Sequence, residues 1–157
     1  VRSVGEAVMA ADRLLETAKA QADAQVSERN AREKAELMRQ LGMDEGESAT
    51  KASRTMIRQL EEDQKRRSKR ALTDAIDRAL IDLLAIYRDV LMVQVGGDGE
   101  LINTDLSDLV HQIAQDSTPR QTLARVDHIE TARKRLVSNG NPLLVLEDMA
   151  ISLRPQA

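Results

Sequence analysis

Apolar residues recur every three or four positions along most of the chain, which is the spacing of one face of an α-helix. The first stripe is rich in alanine, and small side chains on a helical face allow a neighbouring helix to approach closely. Beyond residue 26 the stripe thins, and Gly42 is expected to end the helix, with Arg39 in its last turn. The stripe consists of Val4, Val8, Ala11, Leu15, Ala18, Ala22 and Val26.

A second helical pattern begins near Lys51, after a polar loop at residues 42–50, and runs to about Val93. Its first half has few large apolar residues, whereas its second half has an apolar face wide enough for the centre of a bundle. Because a short loop joins these two helices, we expect them to be antiparallel. Their apolar-poor parts, together residues 28–70, should then project as a thin, solvated arm.

Two shorter helices are predicted after a glycine-rich break at residues 96–99. Thr104 is expected to cap the first of them. The second begins at Thr118 and Pro119, and Gln121 completes a capping-box pattern. The predicted inward positions are Leu106, Leu109, Val110 and Ile113 in the first, and Leu123, Val126, Ile129, Ala132 and Leu136 in the second.

A last helix is predicted to begin at Asn141–Pro142, immediately after Asn139–Gly140 ends the preceding one. The sequence therefore predicts an all-α fold, a helical bundle of about five helices with a long antiparallel hairpin at its N-terminal side. The chain has one Tyr and neither Phe nor Trp, which argues against a β-sandwich or barrel. Its 157 residues suit one domain, residues 1–157.

The overall charge and composition exclude several classes of function. A net charge of −3 creates no general attraction to nucleic acid or membranes. The absence of Cys excludes disulfides, thiolate catalysis and cysteine-based zinc sites, and it fits a cytoplasmic location. No apolar run reaches membrane-spanning length. The first residue, Val1, stands where a helical pattern is already under way, so we expect a fragment of a longer protein.

A basic run in the second helix is the strongest local feature, and one interpretation is contact with nucleic acid phosphates. The other interpretation is a solvated helix face, because three acidic residues at 61–63 precede the basic ones by four positions. No aromatic residue is interleaved to stack on bases, so the solvated face is favoured. The basic residues are Lys65, Arg66, Arg67, Lys69 and Arg70.

No catalytic, cofactor or metal site is predicted from the residues. Glu33 and Glu36, with Glu61, Glu62 and Asp63, could mimic a magnesium site of helical nucleotide hydrolases, but basic residues crowd the same segments. His111 and His128 lack the i, i+4 partners of a metal-binding pair. The glycines at 96–99 are not followed by the Gly-Lys-Ser/Thr of a phosphate loop.

Three motifs on the predicted helices resemble the C-terminal region of bacterial DNA polymerase III clamp-loader subunits, especially those of the delta-prime type. They are Tyr-Arg-Asp-Val-Leu at 87–91, Leu-Ile-Asn-Thr-Asp at 101–105 and Asn-Gly-Asn-Pro-Leu-Leu-Val-Leu-Glu at 139–147. The composition of the first helix is similar to actinobacterial versions. The collar domain of gamma/tau subunits is the nearest alternative within this resemblance.

The resemblance implies a non-catalytic collar domain, which holds the clamp-loader ring together while other modules place the sliding clamp on primed DNA. It implies gamma/tau and delta subunits as partners, through their own collar domains. The family's arginine finger and zinc-binding cysteines belong to an N-terminal module that this chain does not include. No such residue is therefore transferred to it, and no cofactor, membrane contact or direct DNA contact is expected.

A collar domain must present apolar surface to its neighbours in the ring. We expect such surface where apolar residues lie beside the main stripes, in residues 79–95 and in the last helix. The alternative is that a central helix is buried on all sides. The interface candidates are Ile81, Ala85, Ile86, Met92, Val145 and Ile151.

Overall fold

The structure is a computed structural model that describes residues 3–42 and 51–155. Within these ranges the chain forms five α-helices and one 3-10 turn, with no β-strand, so the predicted all-α fold is confirmed. Most of the predicted loop at 42–50 lies outside the described residues. The helices are α1 (Val4–Gln40), α2 (Lys51–Gln94), α3 (Ser107–Gln115), α4 (Pro119–Val137) and α5 (Pro142–Ser152), and the 3-10 turn is Thr104–Leu106.

The chain divides into two compact units. The first unit consists of Val1–Thr17 with Ile76–Ala157, and the second unit is Ala18–Ala75. Helices α1 and α2 each contribute residues to both. The predicted arm, residues 28–70, lies within the second unit, and its projection into solvent stays a prediction.

In the second unit α1 and α2 are antiparallel, as predicted. The Gln64 side-chain amide donates a hydrogen bond to the Asn30 carbonyl over 2.8 Å, and Lys34 lies 3.4 Å from the Glu61 carboxylate. Numbers along α1 rise as those along α2 fall, which defines the antiparallel pairing. The apolar part of this seam is small: Ala22, Val26 and Ala71 are buried, with Leu72 against them.

The core of the first unit is made of large aliphatic side chains from α2, α3, α4 and α5. Burying each such side chain stabilises the fold by roughly 1.5–3 kcal/mol. Helix α1 adds Ala7, Ala11 and Leu15, whereas Val4 is 48% exposed, so the stripe begins at Ala7 and the prediction for Val4 is wrong. The large core side chains with no exposed area are Ile76, Leu80, Val90, Val110, Ile129 and Leu146.

The buried face of α4 differs from the predicted one at its N-terminal end. Leu123 was expected to point inward but is 51% exposed, and Leu109 in α3 is 44% exposed. Thr122 and Arg125 take the buried positions of α4 instead. The Thr122 hydroxyl donates a hydrogen bond to the Gln94 side-chain oxygen over 2.7 Å, which holds this face of the helix towards α2.

The turn between α4 and α5 is built as its sequence predicts. Asn139 has a φ of +63°, the left-handed conformation that commonly follows a helix. The Gly140 N–H then donates to the Arg135 carbonyl over 2.8 Å. The Asn141 side-chain oxygen accepts from the Leu144 N–H over 3.2 Å, with Pro142 in the first turn of α5.

Replacing Gly140 by Ala should destabilise the protein by about 1–3 kcal/mol through steric overlap. A Cβ at this position would lie 2.7 Å from the Arg135 carbonyl oxygen and 2.9 Å from Val145 Cγ2. Urea unfolding followed by circular dichroism measures the loss.

Gly5→Ala is the matched control, because a Cβ on Gly5 would meet nothing nearer than 3.9 Å. Alanine favours a helix over glycine by about 0.5–1 kcal/mol, so this variant should be as stable as the natural protein or more stable. Equal stability of the Gly140→Ala variant and the natural protein would contradict the close packing at this turn.

Candidate functional site

The carboxylate of Asp89 is a buried group of the first unit that accepts four hydrogen bonds. Asp89 lies in α2 with none of its surface exposed. Its Oδ1 accepts the Ile102 N–H over 2.9 Å, and its Oδ2 accepts the Asn103 N–H over 2.8 Å. The Asn103 side-chain amide donates a further bond over 3.0 Å. One buried side chain thus fixes the loop that precedes α3.

Burial alone would raise the pKa of Asp89. The hydrogen bonds from Ile102, Asn103 and Arg88 outweigh that effect, so the pKa lies below its usual value and the carboxylate is charged. The Arg88 guanidinium lies 3.0 Å from Asp89 Oδ1 and also donates to the Glu100 carbonyl over 3.1 Å. The motif at 87–91 and the motif at 101–105 are therefore joined by direct contact.

The start of α3 differs from the prediction that Thr104 caps it. Thr104 belongs to the 3-10 turn, and α3 begins at Ser107. No side-chain hydrogen bond caps either element. The Asn103 side chain, which stands at the position that would cap the turn, is directed to Asp89 instead. The long-range contact thus replaces the local cap.

Gln94 fixes the second connection, between α3 and α4. Its side-chain amide donates to the Ser117 carbonyl over 2.9 Å, while its oxygen accepts the Thr122 hydroxyl. At the start of α4, Thr118 and Gln121 form the predicted capping box, with bonds of 3.2 Å and 2.9 Å. The end of α2 therefore holds both loops that position α3 and α4.

The glycine-rich break after α2 is explained by backbone and packing needs. Gly96 has a φ of +69°, which confirms the predicted left-handed turn. Gly97 has a different reason: a Cβ there would lie 2.7 Å from the Met92 terminal methyl. Met92, one of the interface candidates, is thus covered in part by this loop.

The six predicted interface residues differ in how accessible they are. Ile81 is 45% exposed, which suits a contact surface. Val145 is 7% exposed and lies against Gly140, so it belongs to the core and offers no surface to a partner. The half-buried candidates are Ala85, Ile86, Met92 and Ile151.

Other apolar side chains, which the sequence did not single out, are more exposed than these. Val137 at the end of α4 is 77% exposed, and Leu144 in α5 is 63% exposed. Val137 follows the buried Leu136 at the end of α4, and Leu144 precedes the buried Val145 in α5. Only their exposed fractions in the folded chain distinguish them from core residues.

An ion pair between α2 and α4 separates two of the exposed apolar residues. Arg133 lies 2.7 Å from Asp77 Oδ1, with a second contact of 3.3 Å to Oδ2, and the bond to Asp77 raises the pKa of Arg133. Ile81 lies one turn from Asp77, and Val137 lies one turn from Arg133. We call Ile81, Asp77, Arg133 and Val137 the α2–α4 strip.

The basic run of the second unit is partly paired, but with other partners than predicted. The Arg67 guanidinium lies 2.9 Å from both Glu33 Oε1 and the Asn30 side-chain oxygen. The hydrogen bond from Arg67, which outweighs burial, together with one from Arg29, lowers the pKa of Glu33. Arg66 pairs with Asp63, three residues away.

The expected i, i+4 pairs between residues 61–63 and 65–67 are not the ones observed. Glu61 pairs with Lys34 on α1, because the antiparallel helices bring the two within 3.4 Å. Lys65, Lys69 and Arg70 form no ion pair with the described residues. A phosphate contact by these three stays a prediction.

The described part of the chain contains no cluster of His, Asp and Glu arranged to hold a metal ion. Glu33, one of the acids of the suggested magnesium site, is engaged by Arg67. His111 Nδ1 lies 2.7 Å from the Ser107 carbonyl within α3. None of the described helices is long and apolar enough to cross a membrane.

Comparison with known proteins places these motifs in one family. Residues 49–154 match the family described as "DNA polymerase III, delta subunit, C terminal". The chain is also 38% identical over 72 residues to the DNA polymerase III subunit delta' of Bacillus subtilis (strain 168), a match that covers 46% of this chain and 22% of the relative. No solved structure matches the chain.

The fold and the family match thus define an all-α C-terminal region of a DNA polymerase III subunit. The chain belongs to the family formed by the C-terminal regions of DNA polymerase III delta subunits. The predicted resemblance to the delta-prime type is confirmed by the relative. The match spans about a fifth of that relative's length.

Replacing Asp89 by Asn should destabilise the protein by about 2–4 kcal/mol at neutral pH, because buried N–H donors lose an ionised acceptor. The folded-state pKa of Asp89 is lowered, so its stabilising effect is complete above the unfolded value of about 3.9 and is lost as pH falls through the folded value. Urea unfolding at pH 7 and below pH 4 measures both effects.

The difference in stability between the natural protein and the Asp89→Asn variant should therefore narrow on acidification below about pH 4. Asp82→Asn is the control, since Asp82 is exposed on the same helix and forms no ion pair with the described residues. That change should alter stability by no more than about 0.5 kcal/mol. A difference that stays constant with pH would contradict the assignment to the Asp89 charge.

Proposed function

We propose that this chain is the non-catalytic collar domain of a delta-prime-type clamp-loader subunit of bacterial DNA polymerase III. In this role it holds the loader ring that places the sliding clamp on primed DNA. The observation that carries the proposal is the family match over residues 49–154. Its partners are the collar domains of the gamma/tau and delta subunits.

The geometry of the first unit supports an assembly role. Two hydrogen-bonded anchors, Asp89 and Gln94, fix the connections to α3 and α4. The α2–α4 strip then presents exposed apolar side chains on either side of a bidentate ion pair. Apolar contacts beside satisfied polar groups are typical of protein interfaces.

The delta-prime assignment is supported over the gamma/tau alternative by the relative, whose name is delta'. The family's description names the delta subunit, so the two comparisons agree on a polymerase III subunit and differ in its type. The relative is 38% identical to this chain over 72 residues, and this identity supports the delta-prime type.

Charged substitution in the α2–α4 strip should weaken binding to gamma/tau and delta collar domains from the same organism. Ile81→Asp and Val137→Asp place a charge where an apolar contact would be desolvated, with an expected loss of about 1–3 kcal/mol each. Co-purification and titration calorimetry measure the binding. Circular dichroism should show unchanged helicity because both side chains are exposed.

Thr131→Asp is the control, since Thr131 is exposed on α4 about half a turn from Arg133 and adds the same charge. It should bind like the natural chain. Failure of the well-folded natural chain to bind either partner would sink the proposed function. Normal binding by both strip variants would instead indicate that the interface lies on another face of the protein.

A further inference from the structure

A cavity of about 410 Å³ lies within the first unit and is lined by residues from all five helices. Its volume falls in the range of about 300–1,000 Å³ that is usual for ligand-binding clefts. The wall is mainly aliphatic, so most of it favours an apolar occupant. Leu14, Leu83, Ile113, Leu146, Met149 and Leu153 form much of this wall.

One buried cation lines this mainly aliphatic wall. Arg125 is 8% exposed, and its guanidinium forms no ion pair or hydrogen bond with the described residues. A guanidinium carries five N–H donors in a planar fork that matches a carboxylate. The guanidinium nitrogens stay in contact with solvent, so they are open to an incoming anion.

Two other polar groups line the cavity with Arg125, namely Tyr87 and Asp116. Burial raises the pKa of the Tyr87 phenol, although the Arg125 charge opposes this, so the phenol is neutral and offers a hydroxyl. Asp116 is exposed and forms no ion pair with Arg125 within 4.0 Å. The guanidinium therefore remains available to an incoming carboxylate.

We propose that this cavity binds a segment of a partner protein in which an acidic residue follows bulky aliphatic ones. The aliphatic side chains fill the cavity, and the carboxylate pairs with Arg125 beside the Tyr87 hydroxyl. The inference extends the proposed assembly function, on which it rests, by naming the chemistry of one partner segment.

Exposed apolar side chains beside the cavity favour a polypeptide over a small molecule. The apolar lining continues onto the surface through Leu109, which is 44% exposed, and Pro155, which is also exposed. A ligand confined to the cavity would leave these side chains in water. An extended segment would cover them while its acidic residue reaches Arg125.

The test uses the 157-residue chain and four fluorescent peptides, each with one Glu placed one to four residues after a Leu-Leu pair. Fluorescence anisotropy should detect binding of at least one. Replacing its Glu by Gln, or Arg125 by Gln in the protein, should each weaken binding about tenfold, the effect of losing a charge-assisted hydrogen bond. The two changes together should cost little more than either alone.

Two further variants distinguish loss of the binding site from loss of the fold. Arg120→Gln removes an exposed arginine from the same helix and should leave binding unchanged. Ala150→Phe fills the cavity while keeping Arg125, and it should abolish binding with normal helicity. If Arg125→Gln unfolds the protein, the Ala150→Phe variant still tests whether the peptide binds in the cavity.

No binding by any of the four peptides would overturn the proposal, as would fully additive losses in the double change. Arg125-dependent binding of sodium octanoate with no peptide binding would also overturn it, because the cavity would then be a small-molecule site. Peptide binding is measured on the isolated chain, whereas the collar function is measured with gamma/tau and delta. Failure of one is therefore distinguishable from failure of the other.

Discussion

The fold of the first unit depends on a buried carboxylate that must stay charged. Asp89 has no exposed surface, yet it accepts three hydrogen bonds from residues 102 and 103. Removing its charge would leave buried N–H donors without an ionised partner. These bonds fix the loop between α2 and α3. About one turn further along α2, the Gln94 side chain fixes the connection between α3 and α4, also by hydrogen bonds.

The two units are stabilised by different means. The first has a core of large aliphatic side chains, and two of its buried polar residues, Asp89 and Thr122, belong to the loop anchors. In the second unit, the seam between α1 and α2 changes from small apolar residues near Ala22 to polar contacts around Arg67. Arg67 is half-buried and bonded to both Glu33 and Asn30, so part of the basic run has a structural role.

Features set by neighbouring residues were predictable from the sequence, whereas those set by distant partners were not. The capping box at Thr118 and the turn at Asn139–Gly140 follow from local hydrogen bonds and backbone preferences, and both are present. Local preferences do not explain why Thr104 does not cap α3, or why Thr122 is buried where Leu123 was expected. Asn103 bonds to Asp89 and Thr122 bonds to Gln94, partners that are 14 and 28 residues away. The burial of Arg125 also could not be predicted from helical periodicity, because charged residues are usually exposed to solvent.

Hydrogen exchange at the Ile102 and Asn103 amides tests the central role of Asp89 most directly. The Ile102 side chain is 60% exposed and its residue lies in a loop, so exposure alone predicts rapid exchange. If the Asp89 carboxylate holds the loop, both amides should instead be protected about as strongly as those in the core part of α2. That protection should also disappear in the Asp89→Asn variant under conditions where the helices remain formed. Rapid exchange of both amides in the natural protein at neutral pH would contradict the account.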